Sequence, residues 1–152
     1  MPTLHLMIGL PCSGKTTHAK QLAKDTGALM LSLDRWHIAL FGDDVGDPMH
    51  DERHMRIEGI MWDIAAHTLR IGGDVILDYG CWARSERDDY RAKAHALGAS
   101  FRIHYMDVSI DELYQRLKQR NLNPTEGVFV IPESEMDKYL PRFEPPTADE
   151  LI

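Results

Sequence analysis

Eight consecutive residues, Gly9-Leu10-Pro11-Cys12-Ser13-Gly14-Lys15-Thr16, fit the pattern G-x-x-x-x-G-K-[ST]. Glycines at these positions let the backbone wrap a phosphate group with successive N–H groups pointing inward, and a helix opening at Lys15 adds partial positive charge at its N-terminus. Lys15 is then placed to reach the β- and γ-phosphates of a nucleotide, and the Thr16 hydroxyl to sit on Mg²⁺. Thr17 falls on the α-phosphate side. The expected nucleotide contacts are therefore Gly9, Pro11, Cys12, Ser13, Gly14, Lys15, Thr16 and Thr17. A thiol at a helix N-terminus ionises more readily, so oxidation of Cys12 would block the loop; the plainer reading is a tolerated small residue. No Asn-Lys-x-Asp guanine-reading sequence occurs, which favours ATP over GTP.

Two aspartates follow apolar runs. Asp78 comes after Val75-Ile76-Leu77, a pattern that puts a carboxylate beside the phosphate loop, where it can hold Mg²⁺ or its water; the competing reading is a turn or helix cap. Asp34 comes after Leu29 to Leu33. At the carboxyl end of a parallel strand it lines the ligand crevice and can take a proton from an acceptor hydroxyl. It can also cap the helix that follows. Arg116 and Arg120 are spaced i, i+4 on one helix face, where cations can cover the charge of a migrating phosphoryl group. A solvated face with Lys118 and Glu112 is the alternative.

These residues need a scaffold of alternating elements. Leu4 to Leu10 is nearly all apolar and reads as a strand buried on both faces. Ala19, Leu22 and Ala23 mark a helix closed by Gly27. Leu29 to Leu33 is a second strand, Asp34 to Phe41 a short helix, and Gly42 to Asp51 a loop. Ile57, Ile60, Met61, Ile64, Ala65 and Thr68 give a long helix over Asp51 to Leu69. Val75 to Asp78 is a third strand. A Ser85 cap opens the next helix, Phe101 to Val108 is a fourth strand, and Ser109-x-x-Glu112 is a capping box. A loop over Asn121 to Ile131, a short helix from Glu133 to Leu140 and a proline-rich tail end the chain. The alternation and the phosphate loop predict an α/β P-loop NTPase fold: a parallel sheet of four to five strands, helices on both faces, and one domain over residues 1–152.

The bulk figures agree. The chain has 152 residues, 17 basic and 24 acidic side chains and a net charge of −7. That length suits one core without staples. The acidic balance argues against coating nucleic acid by bulk electrostatics. Two cysteines, Cys12 and Cys81, are too few for a disulfide framework and suit a reducing, cytoplasmic setting. No apolar run reaches the ~18 residues of a membrane span, and the N-terminus lacks the basic start of a signal peptide. Oligomeric state is not legible.

The order of phosphate loop, Ser-Leu-Asp34 with Leu-Phe-Gly42, Val-Ile-Leu-Asp78, Arg116-x-x-x-Arg120-Asn121 and Phe143-Glu-Pro-Pro resembles the small bacterial AAA-type ATP-binding proteins described as predicted kinases. Their wider relatives include polynucleotide kinase, chloramphenicol phosphotransferase, zeta toxins and gluconate kinase. The resemblance covers about Leu4 to Glu150. It implies a nucleoside-monophosphate-kinase-like fold, Mg²⁺–ATP as donor and a mobile helical lid at about 116–140. In the polynucleotide kinase relatives the carboxylate after the second strand acts as base, and Asp34 matches it. Those relatives carry a substrate-contacting Arg three residues on, where this chain has His37, and Asp-x-Thr-Asn where it has Asp78-Tyr79-Gly80-Cys81.

The expected function is transfer of the ATP γ-phosphate to a hydroxyl of a small molecule. A nucleic acid 5′-hydroxyl kinase and an accessory ATPase without acceptor are the less favoured alternatives. Arg84 and Arg87 face either the acceptor pocket or solvent. His50 and His54, i, i+4 with Asp47, Asp51 and Glu52 nearby, have the spacing of a transition-metal pair without a second ligand cluster. Trp36 and Trp82 follow the strand-end aspartates and can contact an acceptor; Trp62, Met55 and Met61 read as core.

Overall fold

The computed structural model describes residues 1–124 and 127–151. Thr125 and Glu126 of the expected lid, and Ile152, lie outside the described residues. Four parallel strands, β1 (Thr3–Ile8), β2 (Leu29–Ser32), β3 (Val75–Gly80) and β4 (Ser100–Tyr105), form one sheet in the order β2-β3-β1-β4. The central pair, β1 and β3, is apolar apart from Thr3, His5, Asp78 and the Tyr79-Gly80 end, as strands covered on both faces are.

Side chains alternate between two helical layers. Leu4, Leu6, Ile8, Leu31, Val75 and Leu77 pack on one face in the main core with Ile57, Met61, Ala65 and Leu69 of α3 (His50–Arg70). Tyr90 and Ala94 of α4 (Arg84–Ala96) complete this layer. Met7 and Ile76 point the other way, against Ala19 of α1 (Lys15–Thr26). A third cluster lies above the carboxyl edge of the sheet. There α5 (Ile110–Leu122) and α6 (Glu133–Tyr139) bury Leu117 and Met136 with Phe129 and Ile131.

Several boundaries differ from the sequence reading. β2 stops at Ser32, so Asp34 sits in the first turn of α2 (Leu33–Phe41) and not on the strand. β3 runs two residues past Asp78. α4 opens at Arg84 without a side-chain cap, so the Ser85 cap is not used. The Ser109 cap is used: its Oγ accepts from the Glu112 N–H at 3.3 Å. Met55 and Ile60 are exposed on α3, at 71% and 55%. At about 100° per residue Met55 falls on the side of the helix away from Ile57, and Ile60 falls beside the buried Ile57–Met61 stripe rather than on it.

Arg84 and Arg87 do not line the cleft; Arg87 is buried, and Arg84 lies at the surface with its side chain 41% exposed. Residues 144–151 fold back over the start of α4. Arg87 is 1% exposed and donates from Nε to Glu150 Oε1 at 2.8 Å and from Nη1 to the carbonyls of Cys81 and Trp82 at 3.0 Å. Arg84 reaches Thr147 and Asp149 at 2.9 and 2.8 Å.

Candidate functional site

The phosphate loop turns between the end of β1 and the start of α1. Its base is pinned to the neighbouring strand end, where the Gly9 N–H donates to the Gly80 carbonyl and Trp82 Nε1 donates to the Gly9 carbonyl, both at 3.2 Å. A Cβ on Gly9 would fall 2.4 Å from Ser13 Oγ, so the close crossing of the loop needs glycine there. Gly14 has φ 93, left-handed backbone that lets the loop enter the helix. Cys12, at φ 69, adopts the same region without that freedom.

Asp78 and the loop meet directly. Thr16 Oγ1 donates to Asp78 Oδ2 at 2.7 Å and Ser32 Oγ donates to the same oxygen at 3.1 Å. A hydroxyl and a carboxylate side by side are the hard oxygen donors that Mg²⁺ takes alongside substrate phosphates. Lys15 Nζ donates to the Leu10 carbonyl at 3.2 Å. Desolvation lowers its pKa, against the opposing pull of Asp78 and Asp34. Two buried side-chain atoms here lack a partner among the described residues: Ser13 Oγ inside the loop and Arg120 Nε on the helix facing it. Buried donors of this kind are costly unless matched, and a phosphate oxygen in the cleft that Arg120 lines would match its Nε. The residues present therefore fit a magnesium-bound nucleoside triphosphate.

A cleft of about 650 Å³ runs from the loop across the carboxyl edge of the sheet. Every expected site residue lines it except Gly9 and Ser13, which sit behind the loop. Arg116 Nη1 donates to the Cys12 carbonyl at 3.2 Å, and Arg116 also pairs with Glu112. Arg120 Nη2 donates to the Phe129 carbonyl at 3.0 Å. Both arginines thus reach the cleft, held by backbone oxygens rather than by a carboxylate of the sheet. Burial pushes the Cys12 thiol up, outweighing Arg120, Lys15 and Arg116, so the loop does not activate it as its place at a helix start suggested.

Asp34 lies across the cleft with its side chain 58% exposed. The surrounding cleft walls nonetheless raise its pKa through desolvation, and the Asp78 charge adds to this against Lys15 and Arg120. A carboxyl displaced upward and open to the cleft suits a proton acceptor. Trp82 lines the cleft, whereas Trp36 packs on the main core and Trp62 beside it. Six cationic residues line the cleft against three aspartates. The charge of the whole chain is therefore reversed where a triphosphate would lie.

Beside Asp34 the sequence reading missed a partner. His50 and His54 do not act with Asp47, Asp51 or Glu52 alone; they gather with the fully buried His37 around Asp44. His37 Nε2 lies 2.6 Å and His50 Nδ1 2.5 Å from Asp44 Oδ1, while Arg53 holds Oδ2 at 2.9 Å. Burial alone would raise the pKa of Asp44, but hydrogen bonds from His50, Arg53 and His37 hold it well below the usual range. The donor atoms of His37, Asp44 and His50 lie within 4.8 Å of one another, as metal ligands do. Metal bonds of about 2.0–2.1 Å at the tetrahedral angle need donors roughly 3.3 Å apart. The observed separations are those of hydrogen bonds. Asp44 sits in a glycine- and aspartate-rich loop, where nothing in the sequence distinguishes it from Asp43 or Asp47.

The AAA domain family AAA_33 matches residues 4–146 of the chain. In fold the chain is similar to a protein in a Pnkp1/Rnl/Hen1 RNA repair complex, at 25% identity and TM-score 0.74, covering 93% of this chain and 43% of that one. It spans less than half of that protein. It is also similar to a gluconokinase from Sinorhizobium meliloti 1021, at 20% identity and TM-score 0.70, covering 99% of this chain and 81% of that one. A third similar structure is Kti12 of Chaetomium thermophilum in complex with ADP-AlF3, at 18% identity and TM-score 0.71, covering 95% and 81%. No curated protein sequence matches the chain. The four-stranded parallel sheet with its phosphate loop is that of a small AAA-type, kinase-like P-loop protein. No helix of the described residues is long and apolar enough to cross a membrane.

Proposed function

The chain belongs to the AAA domain family AAA_33, and from that premise we propose that it is an ATP-dependent kinase moving the γ-phosphoryl group to a hydroxyl of a small-molecule acceptor. The observation that carries this reading is the position of Asp34: an exposed carboxyl with a raised pKa in the same cleft as Lys15, Thr16, Asp78 and Arg120. A protein that only bound nucleotide has no need of a second carboxyl so placed.

In this reading Lys15 and the loop N–H groups bind the β- and γ-phosphates, and Thr17 the α-phosphate side. Thr16 and Asp78 hold Mg²⁺, which when bound supplies charge neutralisation on the phosphate oxygens. Arg116 and Arg120 cover the charge of the transferring group. Asp34 takes the proton of the acceptor hydroxyl as its oxygen bonds to phosphorus. Residues 1–152 act as one domain, and the segment at about 116–140 closes as a lid that excludes water. The cleft's positive excess is matched by a triphosphate before any acceptor binds, which supports an acceptor of low charge. The free thiols Cys12 and Cys81 suit a cytoplasmic protein.

The test is label transfer from γ-labelled ATP across a panel of sugars, aminocyclitols, nucleosides and a 5′-hydroxyl oligonucleotide. Label moving to a small hydroxylated compound supports the reading. Label moving to the oligonucleotide alone makes the chain a nucleic acid 5′-hydroxyl kinase, the reading favoured by its likeness to the RNA repair protein. Release of inorganic phosphate alone across the panel favours an accessory ATPase.

A further inference from the structure

His54 stands between the candidate base and a buried histidine–carboxylate pair. Its Nε2 lies 3.7 Å from Asp34 Oδ1, and its Nδ1 lies 2.9 Å from His37 Nδ1. The other nitrogen of His37 faces Asp44 Oδ1 at 2.6 Å. The contacts form a line, Asp34–His54–His37–Asp44, running from the open cleft to a ring that is fully buried. Phe129 covers all three histidines, with ring centroids 5.4, 5.4 and 6.4 Å from His37, His50 and His54.

With neutral rings this line has one consistent proton arrangement. Asp44 is acceptor-only, so His37 carries its proton on Nε2 and His50 carries its own on Nδ1. His37 Nδ1 is then a bare acceptor, and His54 must donate from Nδ1. That leaves His54 Nε2 without a proton, facing Asp34. The single carboxylate charge of Asp44 is already paired with Arg53, so a charged His37 would place an unmatched cation in a fully buried position.

A bare ring nitrogen repels an ionised carboxylate and accepts a hydrogen bond from a protonated one. We propose that His54, held in its Nδ1–H form by the His37–Asp44 pair, is a positioning residue that favours the proton-bearing state of Asp34 and receives that proton after transfer. The proposal rests on Asp34 acting as base. The balance is simple. The acceptor O–H bond breaks and its proton goes to Asp34 while the acceptor oxygen bonds to phosphorus and the leaving oxygen of ADP takes the bond pair. The proton then passes from the Asp34 carboxyl to His54 Nε2, giving an imidazolium 27% exposed to the cleft, from which water removes it. At 3.7 Å the pair is in ion-pair range, and closing to a hydrogen bond takes a small rotation or one bridging water.

The surroundings agree with this geometry. Burial lowers the His54 pKa to about 4 and raises that of Asp34 above 3.8, the directions that favour a neutral ring facing a proton-bearing carboxyl. His37 and Asp34 face the ring from α2, and His50, Asp51 and Glu58 from its own helix.

The test is a long-range ¹H–¹⁵N correlation spectrum of the histidine-labelled full chain above pH 7, which reads each ring's tautomer directly. The expected result is Nδ1–H for His54 and Nε2–H for His37. Asp44→Asn is expected to release the lock, so that His54 moves toward the commoner Nε2–H form. In parallel, ¹³C titration of the Asp34 carboxyl is expected to show a lower midpoint in His54→Gln, whose amide can donate to the carboxylate. The fall is about one pH unit, a tenfold loss of proton affinity; His54→Ala shows a smaller fall. His54 found as Nε2–H in the wild-type chain overturns the proposal, as does an unchanged Asp34 midpoint in both variants. So does tight uptake of Co²⁺ with tetrahedral absorption bands, because His37, Asp44 and His50 would then be a metal cage. Undiminished phosphate transfer by Asp34→Asn sinks the base reading alone and leaves the tautomer result standing.

Discussion

Asp34 and His37 occupy the same helix, three residues apart, and the sequence treats them unequally. Asp34 was legible because an aspartate after an apolar strand at the edge of a parallel sheet has few other places to point. His37 was legible only as a departure from an arginine expected there; its real partners, Asp44 and His54, come from a loop and another helix. Cys12 reads in the sequence as a tolerated small residue beside a helix start, and burial pushes its thiol pKa up. At this scale pH is the informative variable. Transfer needs Asp34 ionised, and its folded pKa lies above 3.8. Activity is therefore lost as pH falls through a limb displaced to higher pH than an ordinary aspartate gives. A kcat/KM profile flat from neutrality down to the usual carboxylate range would remove Asp34 from the chemistry.

The elements that carry the site are marked unevenly in the sequence, for a physical reason. β1, β3 and α1 are bound by strong local signals: buried apolar runs, left-handed glycines and the phosphate loop itself. The residues that close the cleft from above have weaker ones. Residues 127–131 hold no regular structure and are fixed by side chains of α5. Arg120 donates to the Phe129 carbonyl at 3.0 Å, and Asn121 Nδ2 donates to the Ile131 carbonyl at 2.8 Å. Asn121 was visible in the sequence only as the end of a helix. These two hydrogen bonds hold Phe129 over the histidine cluster. Asn121→Ala removes one neutral hydrogen bond of about 1 kcal/mol. Amide exchange at Val128 to Ile131 is expected to quicken about fivefold while β1 and β3 stay protected. Unchanged exchange in this segment would show that α5 does not tether it.

Across the whole molecule the charge of −7 hides two separate patterns. Cations collect in the cleft, and two arginines that the sequence leaves to either the cleft or the surface hold residues 144–151 on α4. Arg84 and Arg87 follow Asp78 so closely that sequence alone favoured the cleft or the surface; the partners Thr147, Asp149 and Glu150 lie some sixty positions on. Arg87 and Glu150 are each 1% exposed at the side chain, so breaking one side of the pair leaves a buried charge unmatched. Glu150→Ala is expected to lower unfolding free energy by about 3 kcal/mol in urea titrations; a loss below about 0.5 kcal/mol would mark the strap as a surface feature. Burial alone would raise Glu150, but hydrogen bonds from Arg87 and the Thr147 N–H outweigh it and hold its folded pKa below 4.5. The pair's contribution is therefore full above pH 4.5 and fades as pH falls below it toward the folded value.

The central claim is that Asp34 serves phosphate transfer and not the binding of nucleotide. ATP affinity and ATP turnover measured side by side in the wild-type chain and in Asp34→Asn test it most directly, with Lys15→Ala as the variant that should lose both. The predicted result for Asp34→Asn is an ATP Kd unchanged within about twofold and turnover down by about a hundredfold or more. Turnover at the wild-type rate would contradict the account and leave the chain a nucleotide-binding ATPase.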